Sequence, residues 1–301
     1  MPKNPKSAQS NVSPKSPRQA PRYDPQRGAA PPEMIDLVDA AWILKALGGV
    51  ILFAMLCAYV TICVLYSHAQ WQLVLHPSRT VATTPASVNL PFTEVHFDVD
   101  PTGRPQIDGW FIPAAIAPAS GSPAASGSPA AGTPASNTAL LLHSGNGSMS
   151  DALPAALLFH NAHLNVLLFD YRSYGRSLGL HPTQASMQSD ADTALLYLTT
   201  TRGLPISSIV VYGTGAGASL AVRLCANYPS LPALLLQSPD GDFGPRARRD
   251  PRSKIVPVSF LFDQNFPLAK PLTTLKTPRL MLPATPATLT QFLTTHLRTN
   301  P

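Results

Sequence analysis

Residues 208–217 read SIVVYGTGAG and lead from a short apolar run through a glycine-rich turn into a stretch with helical pattern. An apolar run that ends in glycines before a helix is typical of α/β folds. The same alternation continues on both sides of this stretch. Apolar runs predict buried parallel strands at residues 139–142, 165–169, 208–212, 233–236 and 279–282. Helices are predicted at residues 150–160, 184–200, 218–228, about 257–262 and 288–297. The sequence therefore predicts an α/β fold with a mainly parallel sheet and helices on both faces.

Two strands are predicted ahead of this series, at residues 92–99 and 107–112. The first alternates apolar and polar residues, and the turn-forming residues between the two predict a hairpin. Residues 113–138 consist almost wholly of Ala, Pro, Ser and Gly, which indicates a low-complexity loop without a core of its own.

A long apolar run precedes the predicted domain. Residues 46–66 hold 21 residues without a charge and would span roughly 31 Å as a helix, close to the thickness of a bilayer core. We expect a transmembrane helix over residues 40–67, a disordered basic Pro-rich tail over residues 1–39 and a folded domain over residues 68–301. The basic region is longer than that of a signal peptide, so we expect the helix to remain uncleaved.

The charge distribution predicts the orientation of this helix. Residues 1–45 hold seven Lys and Arg against four Asp and Glu, whereas no charged residue follows the apolar run until Arg79. The positive-inside rule then places the N-terminus in the cytoplasm and the domain outside it, with the lipid bilayer as a partner.

The glycine-rich turn has two interpretations. In the first, Gly213, Gly215 and Ala218 satisfy the dinucleotide-binding pattern G-x-G-x-x-A after a strand. Two strand–helix units precede this turn, however, and that fingerprint belongs on the first. Asp240, the acidic residue after the next strand, comes 27 residues after Gly213 instead of about 20. Dinucleotide binding is therefore the lesser alternative.

In the second interpretation, residues 213–217 (GTGAG) stand where the nucleophile elbow G-x-S-x-G of a hydrolase would be. Several other segments, in the right order, resemble motifs of the membrane-anchored α/β-hydrolases in the serine-aminopeptidase-like and monoacylglycerol-lipase-like branch. These segments are residues 71–77 (WQLVLHP), 108–111 (DGWF), 142–147 (LHSGNG), 169–177 (FDYRSYGRS), 237–239 (QSP), 257–266 (PVSFLFDQNF) and 275–278 (LKTP). The resemblance covers about residues 70–282. It implies the α/β-hydrolase fold and hydrolysis of esters, thioesters or amides by a Ser–Asp–His triad without a cofactor.

The chain departs from that family at each triad position. Gly215 replaces the nucleophile, and glycine tolerates the positive φ of an elbow without a penalty. Residues 283–301 contain no Asp or Glu, and the only histidine among them is His296. We therefore expect a C-terminally shortened α/β-hydrolase fold without a recognisable triad. Such a protein would keep a binding or interaction role, with an acyl or ester-like small molecule as a possible ligand.

The resemblance also implies an oxyanion hole of backbone N–H groups, here from Ser144 or Gly145 and from Ala216. Such donors do not depend on the lost side chains. The rival hypothesis is an active hydrolase with a displaced nucleophile. Its candidates are Ser219, which serves as the fallback, and Ser144, with His143 or His296 as the base and Asp240 or Asp242 as the acid. A third hypothesis is a decaying copy without a selected activity.

The sequence gives little support for a nucleic-acid, metal or cofactor site. The net charge of +6 comes without aromatic interleaving or a known motif, so we expect no nucleic-acid partner. The basic cluster at residues 246–252 is interpreted as a solvated loop. The histidines of the His160–His163 pair lie at a predicted helix end without a third ligand nearby in sequence, and three cysteines form no zinc spacing. We expect neither a metal nor a cofactor.

Overall fold

A computed structural model describes residues 39–99, 102–115 and 137–297. The predicted tail lies outside these residues, apart from Asp39, and so does most of the predicted low-complexity loop. Among the described residues, those from 55 onwards cluster as one compact unit, and residues 39–54 belong to another.

Helix α1 spans Ala40–Ala69 and is continuous over 30 residues, or about 45 Å. Among the described residues it is the one helix that is long and apolar enough to cross a membrane. It begins where the sequence predicts and extends two residues beyond the predicted end. The uncharged run lies entirely within it.

The strands form one large sheet and one small pair. In chain order they are β1 (His76–Pro77), β2 (Thr93–Val99), β3 (Pro105–Ile112), β4 (Thr138–Leu142), β5 (Asn146–Gly147), β6 (Asn165–Phe169), β7 (Ile209–Gly215), β8 (Leu234–Pro239) and β9 (Arg279–Leu282). The seven-stranded sheet has the order β2-β3-β6-β4-β7-β8-β9, and β1 pairs with β5. β3 is antiparallel to both of its neighbours, and all other pairs are parallel. The hairpin and the mainly parallel sheet are both confirmed.

In the ranges that the structure describes, seven further α-helices follow α1. They are α2 (Leu153–Asn161), α3 (Gln184–Leu196), α4 (Gly217–Asn227), α5 (Gly244–Arg249), α6 (Val258–Leu261), α7 (Ala269–Thr274) and α8 (Pro286–His296). Alternate residues of the central strand β4 face opposite sides of the sheet. Leu140 and Leu142 join the core beneath α3 and α4, whereas Ala139 and Leu141 join the core beneath α2 and α8. The predicted helices on both faces are confirmed.

The structure differs from the sequence-based prediction at two places near the carboxyl ends of the strands. β7 continues to Gly215, three residues beyond the predicted end, so the strand itself carries the glycine turn. The basic residues Arg246, Arg248 and Arg249 lie on the short helix α5 and not in a loop, with Pro245 in its first turn. Helices of four to six residues show too few turns for a periodic pattern, which is why α5 and α7 were not predicted. In the described part of the chain, α8 follows β9 without a further strand.

Candidate functional site

The turn between β7 and α4 lies at the carboxyl end of the sheet. Gly215 has φ of +54°, a left-handed conformation that glycine adopts without the steric penalty of a side chain. Its neighbouring glycines are required by close packing. A Cβ on Gly213 would lie 2.7 Å from Ala218 Cα, and one on Gly217 would lie 2.3 Å from the His143 carbonyl oxygen. The G-x-G-x-G spacing therefore has a steric cause that needs no bound nucleotide.

Ser144 packs directly against this elbow. A Cβ built on Gly215 would lie 2.7 Å from Ser144 Cβ and 3.1 Å from Ser144 Cα. The Ser144 hydroxyl donates to the Asn146 carbonyl and accepts from the Asn146 N–H, both at 3.3 Å.

One of the predicted oxyanion-hole donors, the Ala216 N–H, already has a hydrogen-bond partner within the protein. The Ala216 N–H donates to the Ser144 carbonyl oxygen at 3.1 Å, so this donor is already bonded within the protein. The Gly145 carbonyl of the same turn accepts from the Tyr174 hydroxyl at 2.7 Å and from the His76 N–H at 3.1 Å. The turn at Ser144 directs its carbonyl towards the start of α4 and so occupies the Ala216 donor, whereas the oxyanion hole from Ser144 or Gly145 and Ala216 stays a prediction.

The fallback nucleophile Ser219 lies one turn into α4 and is 3 % exposed. Its hydroxyl donates to the Pro267 carbonyl oxygen at 2.7 Å. The side chain therefore joins α4 to the segment before α7, and it does not line the cleft described below. The buried position and this hydrogen bond disfavour Ser219 as a nucleophile, and its role stays a prediction.

Neither candidate base reaches the cleft. His143 is 2 % exposed, and its ring packs between Tyr171 and Tyr174 with centroid distances of 4.4 and 5.1 Å. Burial lowers the pKa of His143 to about 3, so the ring is neutral at neutral pH. Neither ring nitrogen has a hydrogen-bond partner among the described residues. His296 packs against Phe292 on α8 and is absent from the cleft lining.

Asp170 lies behind the same turn, and its Oδ1 is 3.7 Å from His143 Nε2. It is fully buried, and burial raises the pKa of Asp170 to about 7 despite a 2.6 Å hydrogen bond from the Met149 N–H. Arg172 bonds Asp190 on α3, with its Nε 2.6 Å from Oδ1. Burial raises the pKa of Asp190 to about 6, which the Arg172 contacts oppose. Asp170 and Arg172 thus hold their turn in place.

A cleft of about 550 Å³ opens above the elbow. Its polar lining groups are His76, Ser144, Asn146, Asp240, Arg246, Arg249 and Asp250. Its larger apolar lining groups are Leu73, Val74, Phe243 and Phe262. The cleft therefore combines an apolar wall with two arginines, as a site for a ligand with an apolar body and an anionic head would.

The polar side chains of the cleft differ in whether another side chain forms a hydrogen bond or an ion pair with them. Arg246 contacts both carboxylate oxygens of Asp240, at 2.7 and 2.9 Å. His76 Nδ1 lies 3.0 Å from Asn146 Oδ1. Within the described ranges no ion pair involves Arg249, which leaves its charge available to a ligand. Asp242, the other candidate acid, caps the start of α7 by accepting from the Leu268 and Ala269 N–H groups.

Sequence reasoning missed His76, Arg246 and Arg249 as cleft residues. The basic cluster was visible, but nothing in the sequence placed it beside residues 144 and 215. His76 reaches the site because the two-residue strand β1 pairs with β5 at Asn146. Such a short pairing leaves no periodic signal.

The histidines considered as metal ligands have other partners. His160 Nδ1 lies 2.8 Å from the Pro113 carbonyl oxygen, and His163 Nδ1 lies 3.0 Å from that of Ala115. These contacts fix the chain that leaves β3. No group of three or more His, Cys, Asp or Glu residues suited to a metal occurs in the part of the chain that the structure describes.

A mainly parallel sheet with an antiparallel hairpin at one edge, and a central strand that ends in a positive-φ elbow before a helix, defines an α/β-hydrolase domain. No protein-family model matches the chain. The chain is 38 % identical to Protein bem46 of Schizosaccharomyces pombe over 103 residues, which are 34 % of each chain. It is 36 % identical to human alpha/beta hydrolase domain-containing protein 17B over 75 residues, or 25 % of each chain.

The matches therefore span a third or less of these curated relatives. A solved structure that resembles the fold is the Pyrococcus furiosus esterase Pf2001, with a TM-score of 0.49, 18 % identity, and coverage of 69 % of this chain and 76 % of that one. The sheet order, the elbow and these partial sequence matches agree on an α/β-hydrolase fold for this chain.

Proposed function

We propose that this protein is a membrane-anchored α/β-hydrolase homologue that binds an acyl-type anion in its cleft and does not hydrolyse it by a Ser–Asp–His triad. The observation that carries the proposal is the contact between Ser144 and the elbow at Gly215. At the nucleophile position Gly215 has no side chain, and the side chain of Ser144 on the facing turn narrows the space that a nucleophile would occupy.

Two further features support the loss of triad chemistry. The Ala216 N–H, which an acyl-transfer site would use to stabilise an oxyanion, is bonded to the Ser144 carbonyl. The other candidate groups, Ser219 and His143, are buried in contacts outside the cleft. Since removal of a single triad member lowers the rate by orders of magnitude, a site that lacks all of these groups is better suited to binding.

The ligand class follows from the cleft lining. Arg249 offers an unpaired guanidinium, and Leu73, Val74 and Phe262 offer apolar surface. A carboxylate on an acyl chain matches both, since Arg binds carboxylates through charge-assisted hydrogen bonds. An alcohol of the same chain length lacks the anionic head and is the matched neutral probe.

Substituting Arg249→Gln is expected to weaken octanoate binding roughly 10-fold or more, because a hydrogen bond to a charged group contributes about 1.5–3 kcal/mol. Affinity for octan-1-ol is expected to stay within about twofold, since its contacts are apolar. Calorimetric titration of the full chain in nanodiscs measures both. Arg248→Gln, on the same helix but outside the cleft, is the matched control. Equal losses for both ligands, or no loss of octanoate binding, would contradict the proposed anion site.

A second candidate function is supported by one observation. Ser144, His76 and Asn146 all line the cleft, His76 is hydrogen-bonded to the Asn146 side chain, and Ser144 is hydrogen-bonded to the Asn146 backbone. In this alternative, Ser144 Oγ attacks an ester carbonyl carbon, His76 takes the hydroxyl proton and passes it to the departing alcohol, and water then releases the acid.

A fluorophosphonate serine-hydrolase probe separates the two candidates. We expect the folded wild-type chain to label no more than a heat-denatured sample, because no activated serine is present. Ser144→Ala and Ser219→Ala variants are measured beside it. Labelling that disappears in Ser144→Ala would favour the second candidate and overturn the first. Labelling lost only in Ser219→Ala would restore the fallback nucleophile.

The orientation of α1 is part of the same proposal. The excess of Lys and Arg before residue 46 supports a cytoplasmic N-terminus and an extracytoplasmic domain. In sealed, right-side-out vesicles, external protease is therefore expected to reach the domain and leave the N-terminal tail intact. Removal of the tail from outside would reverse the assignment.

A further inference from the structure

The segment at residues 251–262 packs against the end of helix α1. Its Val256 and Val258 are buried in a small apolar cluster with Tyr66 of α1 and Ala247 of α5. Cys63 of α1 packs partly buried against this cluster. We call residues 251–262 the interfacial segment. These contacts attach it to the last two turns of the apolar helix.

The depth of this contact follows from the length of the uncharged run. A bilayer core of about 30 Å accommodates about 20 helical residues. The run at residues 46–66 therefore places the hydrocarbon boundary near Tyr66. Ile62 and Leu65 lie at or just inside this boundary, and both line a groove of about 290 Å³ together with Arg252 and Ile255. The interfacial segment thus lies level with the lipid boundary.

The exposed side chains of the segment match that position. Ile255 is 62 % exposed and Phe260 is 89 % exposed, although both are large and apolar. Arg252 and Lys254 are exposed beside them. Within the described residues Arg252 has one weak ion pair, 3.9 Å from Asp250, and Lys254 has none. Apolar side chains flanked by cations are suited to the boundary between acyl chains and anionic headgroups.

We propose that the interfacial segment is a second membrane contact, in which Ile255 and Phe260 insert among the acyl chains and Arg252 and Lys254 bind anionic lipid headgroups. The occupant is the bilayer surface itself, because the segment packs against the end of the apolar helix at the level of the lipid boundary. Arg249 and Asp250 of the cleft directly precede the segment, so this contact also brings the cleft mouth next to the lipid. The inference does not depend on the proposed ligand of the cleft.

The test uses the full chain with its three native cysteines, Cys57, Cys63 and Cys225, replaced by alanine. An environment-sensitive dye is attached at Ile255→Cys or Phe260→Cys, and the protein is reconstituted in phosphatidylcholine vesicles with or without phosphatidylglycerol. Lipids that carry a quencher on the acyl chain are expected to quench both positions. The matched control is Leu196→Cys, which is also exposed and apolar. Leu196 ends α3, about 18 Å along that helix from Gln184, whose N–H donates to Gln264 just after the interfacial segment. It is expected to remain unquenched.

A second arm tests the cations. Arg252→Gln and Lys254→Gln, placed in the Phe260→Cys chain, are expected to lower the lipid-immersed fraction in phosphatidylglycerol vesicles, by roughly fivefold in the immersed-to-free ratio for each charge removed. Thermal unfolding of each variant verifies that the labelled protein is folded. Quenching at positions 255 and 260 no greater than at position 196 would overturn the proposal. Quenching that is indifferent to phosphatidylglycerol would overturn the assignment of Arg252 and Lys254 to headgroups.

Discussion

Gly215→Ser is expected to destabilise the protein by about 2–4 kcal/mol, although it restores the residue type that a hydrolase elbow carries. The new Cβ would lie 2.7 Å from Ser144 Cβ, a distance that forces a shift of one turn, and overpacking of this kind costs about 1–3 kcal/mol. A φ of +54° adds a further penalty of about 1 kcal/mol for a residue with a side chain. The melting temperature of the full chain in nanodiscs measures the loss.

The matched variant removes the opposing side chain. Ser144→Gly combined with Gly215→Ser is expected to be more stable than Gly215→Ser alone, because the 2.7 Å contact between the two Cβ atoms disappears and the nearest remaining atom is the backbone Cα of residue 144, at 3.1 Å. The coupling free energy from the double-mutant cycle should therefore be favourable by about 1–2 kcal/mol. Strictly additive effects of the two substitutions would show that Ser144 does not occupy the space of the nucleophile. A stable double variant would also be the proper starting point for any attempt to restore hydrolysis.

Asp170→Asn is expected to stabilise the protein increasingly as the pH rises from 5 to 8. The folded-state pKa of Asp170 is about 7, above its ordinary value of 3.8, because the carboxyl group is buried. Its contribution to stability is therefore fully present below pH 3.8 and is lost as the pH rises through 7. Asparagine is neutral throughout and can still accept from the Met149 N–H. The wild type thus loses about 2–4 kcal/mol relative to the variant over this window.

Melting temperatures of both proteins at several pH values measure this difference. His143 is present in each, and its own titration cancels when the two are compared. About 2–4 kcal/mol corresponds to several degrees for a chain of this size. If the two melting temperatures differ by the same amount at pH 5 and pH 8, Asp170 is already ionised at pH 5. The interpretation of Asp170 as a buried, neutral carboxyl group would then be wrong.

Much of the fold could be predicted from the sequence because the buried strands are continuous apolar runs. The strand at residues 165–169 lies where its run predicts and is buried, since both faces of a parallel sheet are covered by helices. The strand at residues 279–282 also lies where its run predicts, but it forms the edge of the sheet and only Leu282 is buried, which corrects its prediction as a buried strand. The uncharged run before the domain predicts the long helix for an equally local reason. The short helices α5 and α7 left no such pattern, so the position of Arg246 and Arg249 was not predicted.

The α/β class, the apolar helix and the missing nucleophile side chain at Gly215 follow from local sequence, because each depends on residues that are adjacent in the chain. The residue that faces this glycine is set by the packing of distant segments. Ser144 meets Gly215 because β4 and β7 pair in parallel and end side by side. The same arrangement uses the Ala216 N–H for the Ser144 carbonyl and brings His76 and Arg249 to one cleft. Contacts between residues so far apart in the chain are set by strand register and side-chain volume, and no local pattern records them.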